Sequence, residues 1–145
     1  MSLTLESALA LARAVLEEGQ RRGCAPLAVV VTDPGGRDIC ALRGDGAGHL
    51  RIVIARAKAG GALGIGFNTR DVQVLAGRIP DFVAAANAAT EGGLIPSPGG
   101  VILYRGGELA GAIGVSGDTG DNDEACILAV LKGSELQAAA PYWDN

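Results

Sequence analysis

The residues with the most chemistry to offer lie far apart: Lys58 in mid-chain, and the run Asp121-Asn122-Asp123-Glu124 near the end. A desolvated lysine could act as anion clamp or general base, with Asp123 and Glu124 carrying protons. Each has a plainer reading. A lysine on a helix of otherwise apolar or small residues ordinarily carries its ammonium out to water. Carboxylates at a helix start complement the positive end of the helix dipole, and Asp121 with Glu124 fits a capping box. That leaves Asn122 and Asp123 surplus, to meet Lys58 or Arg43 beside a pocket or to bind a cation; a capped helix start is the commoner outcome for such a run.

The other candidates are weaker. His49, the single histidine, follows three glycines within five residues and could ligate a metal or move a proton, although a surface histidine in a first helical turn is the ordinary case. Gly99-Gly100 and Ser116-Gly117 flank apolar runs and could present backbone N–H groups to an anion; plain turn chemistry is the alternative. Cys24, Cys40 and Cys126 are odd in number with no C-x-x-C pairing, so they read as reduced thiols, Cys40 and Cys126 as small core residues. Several motifs fail. Gly114-Val115-Ser116-Gly117-Asp118 has an aspartate where a nucleophile elbow needs glycine. Gly64-Ile65-Gly66-Phe67-Asn68-Thr69 lacks the third glycine of a dinucleotide fingerprint. Asp123 stands where a calcium loop beginning at Asp118 needs its turn glycine.

Positioning these groups is the task of a helix–hairpin–helices–hairpin–helix pattern. A first helix spans residues 5–22, with Leu5, Ala8, Leu9, Ala12 and Leu16 as its stripe and Thr4 as its cap. Leu27-Ala28-Val29-Val30-Val31-Thr32 and Ile39-Cys40-Ala41-Leu42 read as strands joined at Asp33-Pro34-Gly35-Gly36. A second helix covers residues 49–63, its stripe being Leu50, Val53, Ile54, Ala57 and Gly61. Short helices follow from Thr69 to about residue 75 and from Pro80 to about 87. Strands at 101–104 and 109–115 flank Arg105-Gly106-Gly107-Glu108, a last helix runs through 123–131, and the tail from 138 on either docks on a neighbour or stays mobile. Two hairpins separated by helices, without regular βαβ alternation, indicate an antiparallel α+β domain.

Composition narrows the classes. The 145 residues suit one domain spanning 1–145; 48% are hydrophobic, which suits a packed core. A net charge of −4 argues against nucleic acid, and no stretch is apolar for long enough to span a membrane. One histidine and three cysteines do not make a four-ligand zinc site, and no other metal site is indicated. Acidic residues near the start, with no basic run, point away from a signal peptide and toward a cytoplasmic protein. With 23 glycines and 3% aromatics, the core has little apolar area per residue, so subunit burial is expected to supplement it.

In order, the segments resemble the GlcG/HbpS-like family, which includes the C-terminal domain of PduO-type proteins. The matching stretches are residues 9–14, Val29-Val30-Val31-Thr32-Asp33-Pro34-Gly35-Gly36, Arg43-Gly44-Asp45-Gly46-Ala47, Ala55-Arg56-Ala57-Lys58-Ala59, Pro98-Gly99-Gly100, and residues 111–117 with 121–126. The resemblance implies a profilin-like α+β fold with an antiparallel sheet of about five strands, one more than the pattern above supplies. It also implies a homo-oligomer, even-numbered and up to an octamer, with haem or a related tetrapyrrole as candidate ligand. The histidine that ligates iron in PduO-type domains has no counterpart in the first helix here, which leaves His49 as the only imidazole.

The leading expectation is therefore an accessory protein that binds a small molecule, haem or another tetrapyrrole, near the second helix, the Gly99–Gly100 turn and the acidic helix start. Arg43 and Lys58 would hold ligand carboxylates, His49 would be the iron ligand, and Gly99, Gly100, Ser116 and Asn122 would line the site. The rival is an enzyme of small organic-acid or aromatic catabolism, with Lys58 as base or clamp and Asp123 with Glu124 as proton carriers.

Overall fold

The computed structural model describes residues 3–91 and 93–143. Its elements are α1 (Leu5–Arg21), β1 (Ala28–Thr32), β2 (Asp38–Arg43), α2 (His49–Ile65), α3 (Thr69–Arg78), α4 (Pro80–Ala89), β3 (Gly100–Arg105), β4 (Glu108–Ser116), α5 (Gly120–Leu131) and β5 (Leu136–Ala138). The five strands form one antiparallel sheet in the order β2-β1-β4-β3-β5. This is the α+β architecture expected. The strand missing from the sequence pattern is β5, three residues long and too short to show a period.

Strand alternation gives the sheet two unlike faces. Val29, Val31, Val101, Leu103, Ile113 and Val115 point into the main core with α1 and α5, where they meet Leu11, Val15, Ile127 and Leu131. The opposite face carries Ala28, Val30, Ala112 and Gly114, and α2 lies on it. Gly100 and Gly114 face each other in the β3–β4 register. A Cβ on Gly114 would come within 1.9 Å of the Ala55 carbonyl oxygen, and one on Gly100 within 2.3 Å of that of Lys58. The glycines therefore let the α2 backbone settle onto the sheet.

That close approach corrects the expected helix faces. The buried side of α2 is Ala55, Lys58, Ala59 and Ala62, whereas Leu50 and Val53 are 60% and 53% exposed. Its larger apolar residues face outward because the glycine-lined sheet accepts only small ones. On α1 the buried residues are Ala8, Leu11, Ala12, Val15 and Gly19, one step round from the predicted stripe, with Leu5 exposed. Thr4 caps α1 as expected, its Oγ1 accepting from the Ser7 N–H while Ser7 Oγ accepts from the Thr4 N–H.

A smaller core of Val72, Val83 and Leu94 sits under α3 and α4. The described part of the tail, residues 138–143, docks on its own chain, and residues 144–145 lie outside the described residues. After β5, Asn68 Nδ2 donates to the Ala139 carbonyl (2.8 Å) and Tyr142 N–H to Asp71 Oδ2 (2.9 Å). Beside them Tyr142 meets Phe67 and Trp143 edge-on, and the Phe67 and Trp143 rings lie tilted to each other. No described helix is long and apolar enough to cross a membrane.

Candidate functional site

Lys58 and Asp123 meet although 65 positions separate them. The inner face of α2 carries Lys58 onto the sheet, and the first turn of α5 brings Asp123 to the end of β4. Lys58 Nζ donates to Asp123 Oδ2 (3.1 Å) and to the Val115 carbonyl (2.9 Å), and Asp123 Oδ1 accepts from the Asp118 N–H (3.0 Å). The two side chains are 3% and 1% exposed, which corrects the expectation of a solvated lysine. Burial drives both toward neutrality: it lowers the Lys58 ammonium and raises the Asp123 carboxyl from their ordinary values, and each partner's charge opposes the shift.

Among the described residues, no pocket is found around this pair. Neither of the two large cavities is lined by Lys58 or Asp123. Gly99 and Gly100 are buried packing positions rather than open anion-binding amides: the Gly100 N–H donates to Thr69 Oγ1 (2.7 Å), and a Cβ on Gly99 would stand 2.9 Å from Lys58 Nζ. Ser116 is 1% exposed, and its hydroxyl accepts from Arg51 at 3.4 Å. Among the described residues no group of three or more His, Cys, Asp and Glu could hold a metal ion.

The rest of the acidic run is held by other partners. The cap of α5 is Thr119, whose Oγ1 accepts from the Asn122 N–H, so the Asp121–Glu124 capping box is corrected. Both carboxylates instead bind Arg70 of α3, Glu124 through both oxygens (2.8 and 3.1 Å) and Asp121 at 2.6 Å. Glu124 is thus held by Arg70, and the Lys58–Asp123 contacts do not include it. Asn122 Nδ2 donates to Asp118 Oδ2 (2.6 Å), and Asp118 Oδ1 accepts the Ala25 N–H (2.9 Å). These bonds, the Ala25 N–H first, hold the Asp118 carboxyl below its ordinary value. Sequence reasoning missed Arg51, Arg70 and Asp118, since nothing local marks contacts made across more than fifty residues.

Two cavities lie elsewhere among the described residues. One, about 500 Å³, lies between α2 and α4 against Val53, Ala57, Gly60, Gly64 and Leu94; its arginine, Arg56, is paired with Asp38 at 2.9 Å. The other, about 510 Å³, lies between α1 and β2. Leu16, Leu27 and Leu42 give it apolar walls, Arg13, Arg43 and Asp45 stand on its edge, and Cys24 is its sulfur. Both arginines are exposed, and among the described residues neither is paired with a carboxylate; Arg43 donates to the Ala47 carbonyl (3.0 Å). Of the expected ligand residues, Arg43 lines one of these two cavities and the others line neither. His49 is exposed at the start of α2 and lines neither.

Comparison with known proteins adds the following. A family model described as haem degrading protein HbpS-like matches residues 3–132, ending before β5. The crystal structure of a double mutant of HbpS from Streptomyces reticuli is 32% identical, with a TM-score of 0.74 over 92% of this chain and 87% of that one. A PduOC:heme complex superposes with a TM-score of 0.82 at 20% identity, covering 97% of this chain and 100% of that one. The Klebsiella pneumoniae protein ORFY gives 0.76 at 24% identity over 90% and 88%. The last two show likeness of fold alone. The comparison with curated proteins finds no match.

Proposed function

The chain belongs to the HbpS-like family, and from that premise we propose that it is a cytoplasmic, homo-oligomeric accessory protein that binds haem or a related tetrapyrrole. The observation that carries the reading is the cavity between α1 and β2. Its volume suits a small-molecule site, and it joins leucine walls to two guanidiniums without carboxylate partners among the described residues. An apolar macrocycle bearing carboxylates needs that combination: greasy walls for the ring and cations for the acid groups. The α2–α4 cavity is as large, but Asp38 already compensates its arginine.

The donor set tests the metal. Cys24 lines the chosen cavity and carries its soft donor, and a cysteine is a known class of haem ligand. The residues therefore fit the group: Arg13 and Arg43 would hold the carboxylates and Cys24 would face the metal. Bound there, haem would supply a redox-active iron. His49 has no part in this arrangement.

An enzyme built on Lys58, Asp123 and Glu124 finds no support in a sealed ion pair and an arginine-bound glutamate. Free cysteines favour a reducing compartment. Assembly is supported by the exposed apolar residues Leu50, Val53, Ile79 and Phe82, which a monomer would leave in water. The test is titration of the purified, reduced protein with haemin. A saturable Soret shift at near-stoichiometric ligand is expected; an unchanged free-haemin spectrum would reject the reading.

A further inference from the structure

We infer that Cys24 and Cys126 form an oxidisable dithiol, a modification site at which a hydroperoxide converts the two thiols into an intramolecular disulfide. The inference stands on sulfur geometry; because it uses the same Cys24 sulfur that the tetrapyrrole reading turns toward the metal, it applies to the ligand-free protein. The two Sγ atoms lie 4.0 Å apart, brought together from 102 positions apart in the chain. Closure to a bond of about 2.05 Å needs a side-chain rotation and a small shift of backbone. Cys24 is placed to provide both, because it lies in the connection between α1 and β1, just after Gly23 at φ +71°. Cys126 is fixed in α5 and 0% exposed.

That asymmetry assigns the order of events. Cys24 is partly exposed and lines the α1–β2 cavity, so a small oxidant reaches it first. Its sulfur attacks one oxygen of hydrogen peroxide, the O–O bond breaks, and Cys24 becomes a sulfenic acid while the other oxygen leaves as water with the thiol proton. The Cys126 sulfur then attacks the sulfenic sulfur; the S–S bond forms, the S–O bond breaks, and hydroxide leaves with the Cys126 proton as a second water. Sealed among apolar neighbours, Cys126 is protected from the oxidant yet in contact with the sulfur it must attack. The charged groups facing the pair are Arg22 and Glu18, which bind each other at 2.7 Å. Cys40, on β2, has no such partner among the described residues and is an internal control.

The test treats reduced, full-length protein with one equivalent of hydrogen peroxide, counts thiols after denaturation, and maps peptides without reduction. Two of the three thiols should vanish together, with a Cys24–Cys126 cross-linked peptide inside one chain and full recovery on adding dithiothreitol. In Cys126→Val, which keeps a small apolar side chain in the core, dimedone should trap a persistent Cys24 sulfenic acid. The inference is overturned if wild-type Cys24 proceeds to sulfinic acid while Cys126 stays titratable, if the links join separate chains, or if Cys40 reacts first.

Discussion

At the Lys58–Asp123 pair the two charges face each other almost without water, with the Val115 carbonyl and the Asp118 N–H completing the contacts. At the cavity between α1 and β2, Arg13 and Arg43 instead stand exposed beside leucines, with no carboxylate partner among the described residues. The difference separates two uses of charge. A compensated, buried pair fixes how α2 and α5 meet over the end of β4. Uncompensated cations beside apolar walls leave attraction available for something that arrives from solution. The densest chemistry in the sequence is therefore enclosed where α2 and α5 meet, and the proposed ligand-facing chemistry lies at a cavity of which the sequence singled out Arg43 alone.

The largest effect that would break this comparison is on stability. Lys58→Met leaves Asp123 buried without its cation, and such a loss costs about 3–5 kcal/mol. Urea unfolding at neutral pH should show that deficit, and Lys58→Met with Asp123→Asn together should recover a good part of it. A single variant within about 1 kcal/mol of wild type would mean the pair does not hold α2 and α5 together.

The architecture was legible where local rules govern it. Thr4 as a cap, the Asp33-Pro34-Gly35-Gly36 hairpin and four of the five strands follow from turn chemistry and β-branched runs. What misled was the sheet surface. Periodicity assigned Leu50 and Val53 to the inner face of α2, yet Gly100 and Gly114 admit only alanines and the stem of Lys58, so the helix is turned the other way. The Lys58–Asp123 pairing was conceivable from charge, but its sealing was not, because that depends on Gly99 lying against Lys58 Nζ. The cavity itself has no local signature: Arg13, Cys24 and Arg43 come from three separate segments.

A smaller effect sharpens the comparison through pH. Asp118 and Asp123 should titrate on opposite sides of the ordinary aspartate value of 3.8. The depressed Asp118 contributes stability that is present above 3.8 and lost as pH falls through its folded value. The raised Asp123 acts in reverse: the native state holds its proton more tightly, so its contribution declines as pH rises from 3.8 through its folded value. Carboxyl-carbon NMR titration should resolve the two midpoints in that order. Coincident midpoints would contradict the contrast drawn between a partnered surface carboxylate and a buried one.

The central claim is that the ligand's acid groups are met by Arg13 and Arg43 rather than by Lys58, and haemin affinity compared across variants tests it most directly. Charged hydrogen bonds contribute roughly 1.5–3 kcal/mol each, so Arg13→Gln with Arg43→Gln should weaken binding by about a hundredfold or more. Ala57→Leu, which fills the α2–α4 cavity, should leave it unchanged. Wild-type affinity in the double arginine variant, with binding lost in Ala57→Leu, would contradict the account and move the site to the other side of the sheet.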